Sequence, residues 1–113
     1  MRRGEIYLAQ FPFGDVPGMK LRPVLVLTGE LGSVPEILVA YISSVTPTQL
    51  LPSDLILDPS KLEFRSTRLK TKSVLRLHKL ATIHCSSLAR SLGNLDSAAL
   101  TSAVDKLKQL LAL

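Results

Sequence analysis

Residues 73–80 read SVLRLHKL. Apolar and polar residues alternate along it, which is typical of a β-strand. Side chains alternate across a strand, so Arg76 and His78 share one face while Leu75 and Leu77 share the other. The leucine face predicts packing on a core. The opposite face presents a guanidinium and an imidazole in the same direction.

The segments around this strand are also short, apolar and bounded by turn residues. Further strands are predicted at 5–11 (EIYLAQF), 22–28 (RPVLVLT), 36–45 (EILVAYISSV) and 53–59 (SDLILDP), with ATIH at 81–84 as a short sixth strand. The Gly- and Pro-containing stretch 12–20 and the basic stretch 60–72 are predicted to be loops.

The C-terminal residues have a different period. Apolar residues recur at helical spacing after Asp96, which predicts an amphipathic helix with Asp96 as its N-cap. They are Leu100, Ala103, Val104, Leu107, Leu110 and Leu111. Short strands followed by one helix predict a mainly β (α+β) fold, a small, strongly bent sheet or barrel on which the helix packs.

Length and composition limit the function classes. The 113 residues, 46% of them hydrophobic, predict one folded domain rather than a disordered chain. The apolar runs are shorter than a membrane span and no signal-peptide core is recognisable, so we expect a cytoplasmic protein. The single Cys85 cannot form an intrachain disulfide. No cluster has metal-ligand spacing, so neither a metal nor another cofactor is predicted.

The charge distribution suggests an anionic partner. The net charge is +5, and seven of the 14 basic residues lie between positions 61 and 79, where Glu63 is the only acid. A solvated basic loop explains this clustering as well, but a phosphate-rich ligand explains it more specifically.

Polar residues also interrupt three predicted strands. Arg22 begins the most apolar strand, Ser43 and Ser44 end the third, and Arg76 and His78 lie on the fifth. Strand ends converge in a small barrel, so these groups can line one groove. Structural roles are the alternatives. Arg22 can pair with Glu5 or Asp54, the serines can be ordinary strand-end hydroxyls, and Arg76 and His78 can form the solvent face of an edge strand.

Several of these segments together resemble one family. RRGEIYLAQFPF, KLRPVLVLT, VAYISS, LPSDLILD and KSVLRLHKLATI are similar to segments of the PemK/MazF toxin endoribonucleases, over almost the whole chain. The resemblance implies an SH3-like barrel of five to seven strands and a homodimer. It also implies metal-independent cleavage of single-stranded RNA, mostly mRNA, and inhibition by a partner antitoxin, with DNA binding by the toxin–antitoxin complex.

The resemblance also implies roles for individual residues. Arg22 matches the family's catalytic arginine, Ser43 falls where a threonine contacts the scissile phosphate, and Arg76 matches a second arginine proposed as catalytic. His78 stands where the PemK-type branch has an aspartate, the proposed base. Further contacts to RNA are predicted at Lys20, Ser44, Arg65, Arg68, Lys70, Lys72 and Lys79.

The chemistry of these side chains fits such a reaction. RNA cleavage by its own 2′-hydroxyl needs a base, a proton donor for the departing 5′-oxygen and positive charge at the phosphorane. His78 is the predicted base because imidazole titrates near neutral pH. Arg22 and Arg76 offer permanently charged donors for phosphate oxygens, and Ser43 offers a hydroxyl donor. A non-catalytic RNA- or protein-binding module of the same fold, and a basic domain whose charges only confer solubility, are the alternatives.

Overall fold

The computed structural model describes residues 1–10 and 20–113, which fold mainly as antiparallel sheet. Within them lie a C-terminal helix, α1 (Ser97–Leu110), and two short 3₁₀ helices, η1 (Leu62–Thr67) and η2 (Cys85–Ser87). The strands of this part are β1 (Glu5–Gln10), β2 (Leu21–Val26), β3 (Glu36–Ser43), β4 (Asp54–Leu57), β5 (Ser73–His84) and β6 (Leu88–Asn94). Phe11 at the predicted end of β1, and all of the predicted loop 12–20 except Lys20, lie outside the described residues.

The strands form one sheet in the order β4-β5-β3-β2-β1-β6, with antiparallel neighbours throughout. β5 contains 12 residues and includes the segment 81–84, so the prediction of a separate sixth strand there was wrong. An irregularity divides β5 instead. Tyr41 pairs with Arg76, whereas the preceding Ala40 pairs with Leu80. Residues 77–79 therefore form a bulge, which interrupts the simple alternation of the sequence.

Three elements were not predicted, among them the short helix η2 between β5 and β6. η1 lies inside the predicted loop 60–72, and β6 occupies residues 88–94, to which the sequence analysis gives no strand. The β6 sequence LARSLGN lacks a run of β-branched residues and contains Gly93, so its local propensity for a strand is weak. Pairing with β1 forms the strand nonetheless.

The main core lies between α1 and one face of the sheet. Asp96 caps α1, as predicted, and its Oδ1 accepts a hydrogen bond of 2.8 Å from the backbone N–H of Ala99. The buried core residues include Ile6, Leu25, Leu27, Ala40, Ile42, Leu57, Leu75, Leu77, Ala99 and Ala103. This arrangement confirms the predicted packing of Leu75 and Leu77. Within residues 1–10 and 20–113, α1 and the other helices are too short or too polar to cross a membrane.

η1 holds the two edges of the sheet near one another. It follows edge strand β4 in the chain and contacts edge strand β6, where the Ser66 hydroxyl donates a hydrogen bond of 2.8 Å to the Asn94 carbonyl oxygen. Gly93 permits this approach, because a Cβ there would lie 2.3 Å from the Ser66 carbonyl oxygen. The predicted mainly β fold with a packed C-terminal helix is confirmed. The sheet is not a closed barrel, because the described edge strands are joined through η1 rather than by strand pairing.

Candidate functional site

The candidate site lies on the sheet face opposite α1. Strand register shows which side chains share this face, because directly paired residues point the same way. Val24 pairs with Tyr41, Tyr41 with Arg76, and Arg76 with Asp54. These four residues form one row across β2, β3, β5 and β4. Arg76, which was predicted to have a functional role, lies in the interior of the sheet. The alternative of an edge strand was wrong, since β5 has a neighbour on each side.

Arg76 forms an ion pair with a buried carboxylate. Its Nε lies 2.8 Å from Asp54 Oδ1, and the Asp54 side chain is fully buried while 15% of the Arg76 side chain is exposed. Asp54 Oδ2 accepts a hydrogen bond of 2.8 Å from the backbone N–H of Leu51. The Nε–Oδ1 contact lacks hydrogen-bond geometry, and within the described residues neither atom has a hydrogen-bond partner. The guanidinium is therefore held by charge attraction, at an orientation that leaves Oδ1 able to accept a further hydrogen bond.

His78 lies beside this ion pair. Its Nδ1 is 4.0 Å from Asp54 Oδ1, and 30% of its side chain is exposed. Partial burial lowers the pKa of His78 below its usual value, and the positive charge of Arg76 lowers it further, against an opposing effect of Asp54. The imidazole is therefore mainly neutral at pH 7. A neutral imidazole can accept a proton, as the predicted base role requires.

Arg22 and Ser43 lie in the next row along the sheet. Each is two residues from a member of the first row, Arg22 from Val24 and Ser43 from Tyr41, so both face the same side. With strands about 4.8 Å apart and alternate residues about 6.8 Å apart, the Cα atoms of Arg22 and Arg76 are about 12 Å apart. Two arginine side chains can close this distance around one phosphodiester group.

The structural alternative for Arg22 does not hold. Glu5 lies 3.7 Å from the N-terminal ammonium group, and Asp54 pairs with Arg76. Among residues 1–10 and 20–113, the Arg22 side chain has neither an ion pair nor a hydrogen bond, so its guanidinium is available to a ligand on this face.

The Ser43 hydroxyl is less available than predicted. Ser43 is buried, and its Oγ both donates to the Val45 carbonyl oxygen and accepts from the Val45 N–H, each at 3.1 Å. A phosphate contact requires the hydroxyl proton to leave the Val45 carbonyl. Ser44, the next residue, is exposed at the end of β3.

Lys79 adds positive charge to the same face. It belongs to the β5 bulge, and its ammonium group lies 5.5 Å from the centre of the Tyr41 ring. Lys20 is exposed just before β2, two residues from Arg22. Arg22, Arg76 and Lys79 thus give this face three positive charges. Among the four described residues of the row, Asp54 is the one carboxylate, and it is buried.

Arg68 of the basic segment does not lie on one surface with these residues. Arg68 lines a cleft of about 810 Å³ together with Arg2, Arg3 and the end of β6. That cleft lies at the Glu5 end of β1, whereas Arg22 pairs with Ala9 near the other end. Arg65, Lys70 and Lys72 are exposed, in η1 or in the connection to β5. Their contact with RNA stays a prediction.

Asp54 was not predicted as a site residue; the sequence suggested it only as a structural partner of Arg22. Its signal in the sequence is an acidic residue at the start of the apolar strand DLIL. No three His, Cys, Asp or Glu side chains within residues 1–10 and 20–113 are grouped so that they could bind a metal ion. Asp54 and His78 lie close together, but the residues beside them in the row, Arg76 and Tyr41, are not of these four types.

Solved structures of the same fold were found by comparison. A Mycobacterium tuberculosis toxin, MazF-mt6, superposes with a TM-score of 0.74 at 23% identity, over 96% of this chain and 97% of that chain. An endoribonuclease in complex with its cognate antitoxin, from a mycobacterial species, gives 0.74 at 16% identity, over 100% and 96%. A chain of the MazE–MazF structure from Deinococcus radiodurans gives 0.71 at 20% identity, over 100% and 96%. At these identities the likeness shows a common fold.

Sequence comparison with families gives the assignment. None of the curated proteins compared with the chain matches it. The model of the family described as PemK-like, MazF-like toxin of type II toxin–antitoxin system matches residues 2–111, nearly the whole chain. The protein therefore belongs to the PemK-like, MazF-like toxins of type II toxin–antitoxin systems.

Proposed function

We propose that this toxin is a metal-independent endoribonuclease that cleaves single-stranded RNA, mRNA above all, by attack of the 2′-hydroxyl. The observation that carries the proposal is the row in which Arg76 lies between Tyr41 and the buried Asp54, with His78 beside it. Family membership supports it, and two of the structural neighbours are described as endoribonucleases.

His78 acts as the general base in this proposal. Its lowered pKa keeps the imidazole neutral near pH 7, so that it can accept the proton of the 2′-hydroxyl. The 2′-oxygen then attacks phosphorus, and the P–O5′ bond breaks. The products are a 2′,3′-cyclic phosphate and a 5′-hydroxyl; the Arg22 guanidinium donates the proton of the new 5′-hydroxyl and regains one from water.

The two arginines stabilise the transition state. Negative charge accumulates on the non-bridging oxygens of the phosphorane, and preorganised donors are most effective where that charge develops. Arg76 is held in place by Asp54, while Arg22 approaches from the neighbouring row. Ser43, once released from Val45, contributes a hydroxyl donor.

Single-stranded RNA is the substrate that suits this face. Tyr41 offers a ring for base stacking, and an unpaired strand exposes its bases to such contacts. Lys20, Ser44 and Lys79 border the arginines and contact the backbone in this proposal. Arg65, Arg68, Lys70 and Lys72 strengthen binding through phosphates without reading sequence.

The proposed partners are a second copy of the chain and a small antitoxin, and the proposed compartment is the cytoplasm. Relatives of the same fold have been solved with their antitoxins, as an endoribonuclease with its cognate antitoxin and as MazE–MazF. The positive charge around Arg22 and Arg76 complements an acidic antitoxin segment, which would compete with RNA for this face.

Digestion of a defined single-stranded RNA in EDTA tests the proposal. We expect discrete fragments ending in 2′,3′-cyclic phosphate, and a loss of about 10²–10³ in rate for Arg22→Ala. Arg90→Ala is the matched control, because Arg90 is an exposed arginine on β6, where it pairs with Leu8, and should keep the wild-type rate. Intact RNA, bound with strong salt dependence, would indicate the non-catalytic binding module instead.

A further inference from the structure

One oxygen of the buried Asp54 carboxylate has an unmet hydrogen-bonding capacity. Oδ2 accepts from the Leu51 N–H, but Oδ1 accepts no hydrogen bond from the described residues. A buried acceptor without a donor is costly, and most such groups in folded proteins have a partner. The donors near Oδ1 are therefore candidates for a hydrogen bond that would satisfy it.

Two donors lie near Oδ1. Arg76 Nε approaches to 2.8 Å, but its N–H does not point at the oxygen. His78 Nδ1 lies at 4.0 Å, which is too long for a hydrogen bond but close enough for a small side-chain rotation to form one. A proton on Nδ1 would face the carboxylate, and Nε2 would then be the unprotonated nitrogen.

The charges around His78 come from two strands. Arg76 and Lys79, on β5 itself, disfavour the imidazolium, and Asp54 on β4 favours it. From β3, the Tyr41 ring lies under the Lys79 ammonium group. Asp54 is thus the acidic group, among the described neighbours of His78, that can orient the imidazole.

We infer that Asp54 is a positioning residue. It holds His78 as the Nδ1–H tautomer with Nε2 free for substrate, and it fixes Arg76 through the same oxygen. This inference rests on the proposed function for its role in catalysis, but the tautomer itself is a property of the free protein. A carboxylate that orients an imidazole in this way determines which nitrogen can act as the base.

Nitrogen NMR of the two imidazoles tests the inference without any RNA. His84 is a built-in reference of the opposite kind, because its Nδ1 accepts a hydrogen bond of 3.0 Å from the Ser86 N–H and its proton must reside on Nε2. His84→Gln assigns the two sets of signals. We expect His78 to be protonated on Nδ1 in the wild-type protein. In Asp54→Asn we expect this preference to be lost and the His78 pKa to fall, because a favourable negative charge is removed.

Two variants distinguish an orienting role of Asp54 from a merely structural one. Asparagine keeps a side-chain oxygen for the Leu51 N–H, so the local turn can survive in Asp54→Asn. Asp58→Asn is the matched control, because it removes the same charge just after β4, where the carboxylate accepts from Ser60 at 2.7 Å and 3.0 Å. It should leave the His78 signals unchanged. Two results would overturn the inference. One is a wild-type His78 protonated on Nε2, and the other is identical His78 signals in wild type and Asp54→Asn. The first can be read from the wild-type protein even if Asp54→Asn fails to fold.

Kinetics distinguishes this inference from the proposed function. We expect Asp54→Asn to lower kcat by about 10–100-fold, the range found when a carboxylate that orients a metal-bound imidazole is lost, with KM little changed. The acidic limb of its pH–rate profile should move to lower pH. A wild-type protein with the expected tautomer but without nuclease activity refutes the proposed function alone. Nuclease activity together with an unaltered His78 tautomer in Asp54→Asn refutes the positioning role alone.

Discussion

Gly93→Ala tests whether the close packing of η1 on β6 is needed to hold the edges of the sheet near one another. An added Cβ would lie 2.3 Å from the Ser66 carbonyl oxygen and 2.6 Å from the Thr67 carbonyl oxygen. Both are backbone atoms, so relief requires η1 to move away from β6 by roughly 1 Å. That movement strains the hydrogen bond from Ser66 to Asn94. Overpacking of this kind costs about 1–3 kcal/mol, and we expect the free energy of unfolding to fall by that amount.

Thermal and urea denaturation measure this change. A loss of 1–3 kcal/mol in a domain of this size lowers Tm by roughly 4–12 °C, at about 4 °C per kcal/mol. Gly29→Ala is the matched control, because a Cβ there meets its nearest neighbour, the Met1 carbonyl oxygen, at an ordinary 3.6 Å. Its stability should stay within about 0.5 kcal/mol of wild type. Equal stability of the Gly93 and Gly29 variants would show that η1 does not constrain the sheet edge.

Further outcomes follow from the Arg76–Asp54 ion pair, the His78 pKa and the Asp96 cap. Arg76→Ala leaves the buried Asp54 carboxylate unpaired, so urea denaturation should show a loss of about 3–5 kcal/mol, and wild-type stability would contradict the buried ion pair. The lowered pKa of His78 means that the unfolded chain binds more protons, so its contribution to stability is complete above pH 6.5 and declines as the pH falls through the folded-state value. The acidic limb of kcat/KM should likewise lie below pH 6.5 and vanish in His78→Gln. Asp96→Ala removes the cap on the Ala99 N–H and should cost about 1 kcal/mol, read from Tm, with Asp96→Asn near wild type.

Elements whose local sequence pattern agrees with their tertiary environment could be predicted from the sequence. The α1 helix has an apolar face and its own cap at Asp96, so both its period and its start could be predicted. The strands β2 and β3 are apolar on both faces because they lie inside the sheet. β6 could not be predicted in this way. Its formation depends on pairing with β1 and on contact with η1, both distant in the sequence.

The candidate site was predicted in part for a similar reason. Strand alternation alone places Arg76 and His78 on one face, and the structure agrees. The partner of Arg76 could not be identified, because register between β4 and β5 depends on the whole sheet. Asp54 was considered as a partner of Arg22, whereas pairing of Asp54 with Arg76 across the two strands brings those side chains together.

The bulge in β5 explains why His78 lies next to Asp54 rather than over the apolar part of the sheet. If the register from Tyr41 and Arg76 continued without interruption, His78 would pair with Val39. Val39 belongs to a second apolar cluster of buried residues, where a polar imidazole would be poorly solvated; its members are Ala9, Val24, Val26, Ile37, Val39 and Ile83. The three extra residues of the bulge let Ala81 take the place opposite Val39, and Ala81 packs against that cluster. His78 and Lys79 can therefore lie beside Asp54 and Tyr41 instead. The same bulge thus leaves the apolar cluster intact and adds His78 and Lys79 to the candidate site.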